Sequence, residues 1–201
     1  MTRIIAGVAG GRRLAVPSGR STRPTSDRTR EGLFSAVVAM LGGLGGAAVL
    51  DLFAGSGAVG LEALSRGASD VLLVEADARA AQAITHNIAV VGLPGARLVK
   101  DRVDRVLRRG PGTARPRDLV FADPPYAMTD EQVRAVLVLL AEEAWLAPRA
   151  LVVVERDARS GPPPWPGGYV DDRSRRYGET TLWYGRASGD APAAAASTTG
   201  A

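Results

Sequence analysis

The chain contains no cysteine. That excludes disulfides, thiolate metal sites and cysteine nucleophiles together. Histidine occurs once, as His86, which argues against a histidine-based metal centre or a catalytic triad. Of 25 basic residues, all but Lys100 are arginine. Arginine in such excess suits phosphate recognition. A biased genome composition explains it equally well, since alanine and glycine are also abundant. No apolar run approaches the ~18 residues of a membrane span. The basic stretch Met1–Ile5 is not followed by an apolar core and cleavage site, so nothing reads as a secretory leader. The expectation is a cytosolic protein without a metal. Its chemistry must come from carboxylates, hydroxyls, backbone groups or a cofactor.

What is present is 201 residues with a net charge of +4, enough for one domain with small additions. The charge is uneven. Residues 1–31 carry Arg3, Arg12, Arg13, Arg20, Arg23, Arg28 and Arg30 against Asp27 and Glu31, a net of +5, and the remainder carries −1. A basic patch beside a near-neutral body points to a polyanionic partner.

Residues 3–8 and 12–16 read as short strands around a Gly10-Gly11 turn, predicting a small hairpin. Thr25 or Ser26 can cap a helix whose apolar positions are Leu33, Phe34, Val37, Val38 and Leu41. Strands are then expected at 47–52, 70–75, 96–99, 118–122 and 151–155, with helices at 59–65, 79–91, 103–109 and 131–143 between them. Two final strands are expected around 169–175 and 180–185. This alternation predicts an α/β fold with a mostly parallel sheet and helices on both faces. The expected division is a basic hairpin and loop over 1–22, a catalytic domain over 23–186, and a disordered Ala/Ser/Thr-rich tail over 187–201.

Two segments carry the chemistry. In the first, Asp51 lies at a strand end, and Phe53, Ala54, Gly55, Ser56 and Gly57 lead into a helix. Gly55 and Gly57 let the backbone turn tightly and approach a ligand, and Gly60 lets the helix pack near the strand. Glu75, twenty residues after Gly55, ends the next strand, where a carboxylate can accept from both ribose hydroxyls. Such a loop also fits a dinucleotide, or a turn with no ligand. The acidic Asp51 favours S-adenosylmethionine, whose sulfonium and amino group are cationic, over an anionic pyrophosphate. Asp101, past the third strand, can reach the adenine amine or sit in an exposed turn.

The second segment is Asp123-Pro124-Pro125-Tyr126, at the carboxyl end of the fourth strand. Prolines stiffen the backbone and remove donors, leaving carbonyls to face an amine. An exocyclic base amine is a poor nucleophile, because its lone pair is delocalised into the ring. Asp123 and the Pro124 carbonyl can hold its hydrogens, and Tyr126 can stack on a flipped base. Catalysis is then chiefly alignment.

These residues resemble the RsmD-type family, which methylates the N2 amine of one guanine in small-subunit ribosomal RNA. "RIIAG" at 3–7, Gly11-Arg12-Arg13-Leu14, "RPTSDRTREGLF" at 23–34, "LDLFAGSGAVGLEALSRGA" at 50–68, Val74-Glu75, Asp123–Tyr126 and "RYGET" at 176–180 carry the resemblance. Glu179 stands where the family has aspartate, and the turn Val8–Gly11 lacks the family's basic or aromatic residue. The resemblance implies a Rossmann-like class I methyltransferase fold with a seven-stranded sheet. It further implies a cytosolic monomer, S-adenosylmethionine as donor, and 16S ribosomal RNA within an assembling small subunit as partner.

Arg12, Arg13, Arg23, Arg28 and Arg30 are the candidate phosphate contacts; singly, each also reads as a hydrated surface charge. His86 reads as a surface or packing residue, Trp145 as a packing residue, and Trp165 as a lid over the sheet. Rival functions are adenine N6 methylation in DNA or RNA, small-molecule methylation, and a noncatalytic RNA-binding or assembly role.

Overall fold

The protein is described by a computed structural model covering residues 2–17 and 26–188. Its centre is the strand β3 (Ala48–Leu52), every residue of which is buried. Side chains alternate across a strand, so Val49 and Asp51 face one side and Leu50 and Leu52 the other. Two cores follow from that alternation. On the first face, Val49, Leu73, Phe121 and Val153 meet Leu33, Phe34 and Val37 of α1 (Asp27–Leu41), α2 (Ala58–Ser65) and α3 (Ala78–Val91). On the second, Leu50, Leu52, Val74, Val120 and Val152 meet α4 (Val103–Arg108) and α5 (Asp130–Glu142). Enclosing a leucine such as Leu50 on this second face contributes about 1.5–3 kcal/mol.

The remaining strands are β4 (Asp70–Glu75), β5 (Ala96–Lys100), β6 (Arg117–Ala122), β7 (Leu146–Asp157), β8 (Tyr169–Tyr177) and β9 (Thr180–Ala187). Seven strands form one sheet in the order β5-β4-β3-β6-β7-β9-β8. Pairings among β3 to β7 are parallel; β9 pairs antiparallel with both β7 and β8. This is the Rossmann-like, mostly parallel arrangement expected. The chain leaves β3 toward β4 and β5, then returns to its other side for β6 and β7. The carboxyl ends of β3 and β6 therefore flank the switch point, where such sheets bind ligands.

Local signals explain the helix ends. Ser26 caps α1 by accepting from the Thr29 amide, and Gly42 closes it in the left-handed region. Asp77 caps α3 through the Arg79 and Ala80 amides. Thr129 and Gln132 form a reciprocal capping box on α5. The Trp145 indole N–H donates to the Leu107 carbonyl at 2.9 Å, consistent with a packing role.

The amino-terminal hairpin is shorter than expected. β1 (Thr2–Arg3) pairs antiparallel with β2 (Arg13–Leu14) over two residues each. Between them the backbone turns to α2 instead. Glu62, fully buried, accepts from the Ile5 amide at 2.6 Å and the Ala6 amide at 3.0 Å. Ser65 accepts from the Ala9 amide at 2.9 Å. A Cβ on Gly7 would lie 1.9 Å from the Ser65 carbonyl oxygen, so only glycine allows this approach. The expected tail beyond residue 188 lies outside the described residues; β9 itself runs through Ala187.

Candidate active site

Register places the key side chains in one row. Leu52 pairs with Val74 on one side and Ala122 on the other, and Ala122 pairs with Val154. One residue further along the chain from each stand Glu75, Phe53, Asp123 and Glu155, with Phe53 and Asp123 just past the ends of β3 and β6. They form a line across the carboxyl edge of four adjacent strands.

At one end of the line is the glycine loop. Phe53, Gly55 and Gly57 all have positive φ, at 57°, 57° and 75°. The Ala54 amide donates to the Val74 carbonyl at 3.0 Å, and the Gly57 amide to the Ala54 carbonyl at 2.7 Å. A Cβ on Gly55 would meet only the Phe53 carbonyl oxygen, at 4.0 Å, so the loop faces open space. Glu75 accepts from the Gly55 amide at 2.8 Å through one oxygen and from the Asp77 amide at 2.8 Å through the other. Each oxygen retains a lone pair for a further donor. The Ser56 carbonyl accepts from the Asn87 amide group at 2.8 Å.

Asp51 lies beneath this loop, only 1% exposed. It accepts from the Gly60 amide at 2.8 Å, which fixes the first turn of α2. A Cβ on Gly60 would stand 3.1 Å from that same Asp51 oxygen and 3.0 Å from Leu73 and Val71, so a side chain there would crowd this contact. Burial pushes the Asp51 carboxyl up to about 8; the Gly60 hydrogen bond opposes this, and the charge of Glu75 adds to it. Asp51 is thus an anchor under the loop, and its influence on a ligand is electrostatic.

Asp101 is held in its own turn. It accepts from the Arg102 amide at 2.8 Å and from the Arg109 guanidinium at 2.8 Å, and both keep its carboxyl below the ordinary range.

In the middle of the line, Asp123 is half-buried. Burial, then the charges of Glu155 and Asp51, raise its carboxyl well above the ordinary range. Pro124 borders a small cleft of about 50 Å³ together with Asp123, Tyr126 and Glu155. Tyr126 is 73% exposed. Tyr126 and Glu155 also border a larger cavity of about 360 Å³. Its other walls are Ser26, Arg28 and Thr29 at the start of α1 and residues Arg176 to Thr180 at the β8–β9 turn.

The chain matches the family described as Conserved hypothetical protein 95 over residues 2–186. Ribosomal RNA small subunit methyltransferase D of Escherichia coli (strain K12) is 37% identical to it, covering 95% of this chain and 93% of that one. The chain belongs to the RsmD-type family. The same-named protein of Haemophilus influenzae is 35% identical, over 77% of this chain and 78% of that one. Among solved structures, yhhF from Escherichia coli superposes with a TM-score of 0.80 at 33% identity, covering 94% of this chain and 99% of that one. The family match takes in the amino-terminal hairpin along with the sheet.

The basic residues separate under inspection. Arg13 and Arg28 are exposed, and Arg28 stands on the cavity wall. Arg12 spends its Nη1 on the carbonyls of Val90 and Val91, at the carboxyl end of α3, while remaining largely exposed. Arg23 lies outside the described residues. Arg30 is corrected: its side chain is 0% exposed and donates to the Arg3 carbonyl at 2.8 Å and Asp27 at 2.7 Å. An enclosed guanidinium cannot grip RNA phosphate, so Arg30 serves the fold.

Glu155 carries no functional signal in the sequence, and Arg176 and Thr180 belong to the segment 176–180 without a role assigned to either. Glu155 was read only as part of a strand; strand order is what brings it beside Asp123. Arg176 and Thr180 reach the cavity because β9 inserts between β7 and β8.

Proposed function

We propose that this chain transfers a methyl group from S-adenosylmethionine to the exocyclic N2 amine of a guanine in small-subunit (16S) ribosomal RNA. The observation that carries the reading is the row of Glu75, Phe53, Asp123 and Glu155 at the switch point, with a ligand loop at one end and a cavity at the other. The names of the E. coli and H. influenzae relatives support the RNA substrate.

The residues present fit the donor. Gly55 and Gly57 offer a side-chain-free cradle, and Glu75 has lone pairs for the ribose hydroxyls. A cationic ligand favours the ionised forms of Asp51 and Asp123, so the ground beneath it turns negative as it binds. When bound, the donor supplies a methyl carbon already attached to a good leaving group.

Asp123 and the Pro124 carbonyl accept the two hydrogens of the target amine and turn its lone pair toward that carbon. Hydrogen bonds from the amine favour the ionised form of Asp123. The raised proton affinity of Asp123 then suits it to take the proton that the amine loses as the new N–C bond forms. Tyr126 supplies a face on which the base stacks. Arg12, Arg13, Arg23 and Arg28 hold the surrounding phosphates. The reading includes a monomer in the cytoplasm acting on an assembling small subunit. Among the described residues no helix is long and apolar enough to cross a membrane.

The test is mass mapping of the tritiated methyl product on ribosomal RNA and on particles from cells lacking the enzyme. Label is expected on N2 of one small-subunit guanine. Label on adenine, or on no nucleic acid, overturns the assignment. Asp123→Asn should lower kcat by about 10²–10⁴-fold while donor affinity, read by calorimetry, is kept.

A further inference from the structure

The cavity beyond Asp123 bears on which base is accepted. Glu155 is only 8% exposed and follows Val154, whose register partner Ala122 immediately precedes Asp123. Asp123 and Glu155 line one small cleft. Glu155 and Tyr126 both border the Asp123 cleft and the larger cavity, so they form the wall between the two. A base that enters from the cavity and presents its amine to Asp123 lies against Glu155. The volume of about 360 Å³ falls in the range of small-ligand sites, and Tyr126 and Tyr177 line it with aromatic surface.

A buried carboxylate has a definite preference among base edges. Guanine presents N1–H and an N2 hydrogen side by side, two parallel donors that match the two oxygens of a carboxylate. Adenine presents one amine donor beside the N1 lone pair, which would face a carboxylate oxygen with no proton between them.

We propose that Glu155 is the residue that selects guanine, accepting N1–H and sharing one N2 hydrogen with the Pro124 carbonyl while Asp123 holds the other N2 hydrogen. The proposal rests on the reading of this site as a base-amine methyltransferase. It explains why an Asp-Pro-Pro-Tyr segment, which fits either purine amine, would act on guanine here. The close approach of the two carboxylates also raises the proton affinity of Asp123, and the donors of a guanine edge relieve that repulsion.

The experiment uses a small-subunit RNA fragment with guanine or 2-aminopurine at the mapped position. 2-Aminopurine keeps the amine but has an acceptor at N1. The wild type should favour guanine by about ten- to hundred-fold in kcat/KM. Glu155→Gln offers one oxygen to the amine and one N–H to the N1 lone pair, so it should shrink or reverse that preference. Retained calorimetric affinity for S-adenosylmethionine shows that the variant is folded. Equal wild-type transfer to both RNAs, or an equal loss on both in Glu155→Gln, overturns the role of Glu155 alone. Wild-type transfer to neither RNA overturns the enzymatic reading as well.

Discussion

Asp51 holds the Gly60 amide at 2.8 Å, tying the central strand to the first turn of α2 directly beneath the glycine loop. The bond costs the protein a buried acid. In the unfolded chain that acid titrates near 3.8, and in the fold near 8.

Between those two values the folded state holds a proton that the unfolded state has released. Stability from this group is therefore complete at low pH and declines as pH rises toward 8. The slope reaches about 1.4 kcal/mol per pH unit. Asp51→Asn keeps an oxygen for Gly60 and removes the titration. Urea melts at several pH values should show wild-type stability falling relative to the variant as pH climbs. Parallel curves would reject the buried acid.

Glu75 joins the glycine loop to the start of α3 by accepting from the Gly55 and Asp77 amides. Glu75→Gln turns one acceptor into a donor facing an amide. Affinity for S-adenosylhomocysteine, measured by calorimetry, should weaken by about ten-fold or more. Unchanged affinity would remove Glu75 from the donor site.

Arg28 and Arg30 are two residues apart and should behave oppositely. Arg30→Ala empties an enclosed space and strips the Arg3 carbonyl and Asp27 of a donor. It should cost about 2–4 kcal/mol in denaturant melts and leave the salt dependence of RNA binding unchanged. Arg28→Ala should change stability by less than about 0.5 kcal/mol. Its log–log salt slope for RNA should fall by about 0.7–0.9, one phosphate contact. The reverse pattern would restore Arg30 to the RNA surface.

Much of this arrangement was legible in the chain. β4 runs over the expected span, because Val71–Val74 is apolar on both faces. Gly42 and Gly92 end their helices as their positions imply. β7 is longer than expected: Pro148 and Arg149 interrupt the apolar run, yet Leu146 still pairs with Arg117 across a register shift. The hairpin was overextended because the acceptors that draw its middle away, Glu62 and Ser65, lie more than fifty residues distant. Arg30 was misplaced although a signal existed. It shares a helical face with Leu33, Phe34 and Val37, at spacings of three, four and seven. Glu155 carried no local signal, since its place beside Asp123 is set by which strands are neighbours.

Asn87 engages three separate backbone groups: both the amide and the carbonyl of Ala15, and the carbonyl of Ser56. The amino-terminal arm is therefore pinned to the glycine loop through one side chain on α3. An arm grafted from a relative would arrive with its own spacing and meet a pin shaped for another. A chimera built on this chain should exchange the arm, the loop and the third helix as a unit.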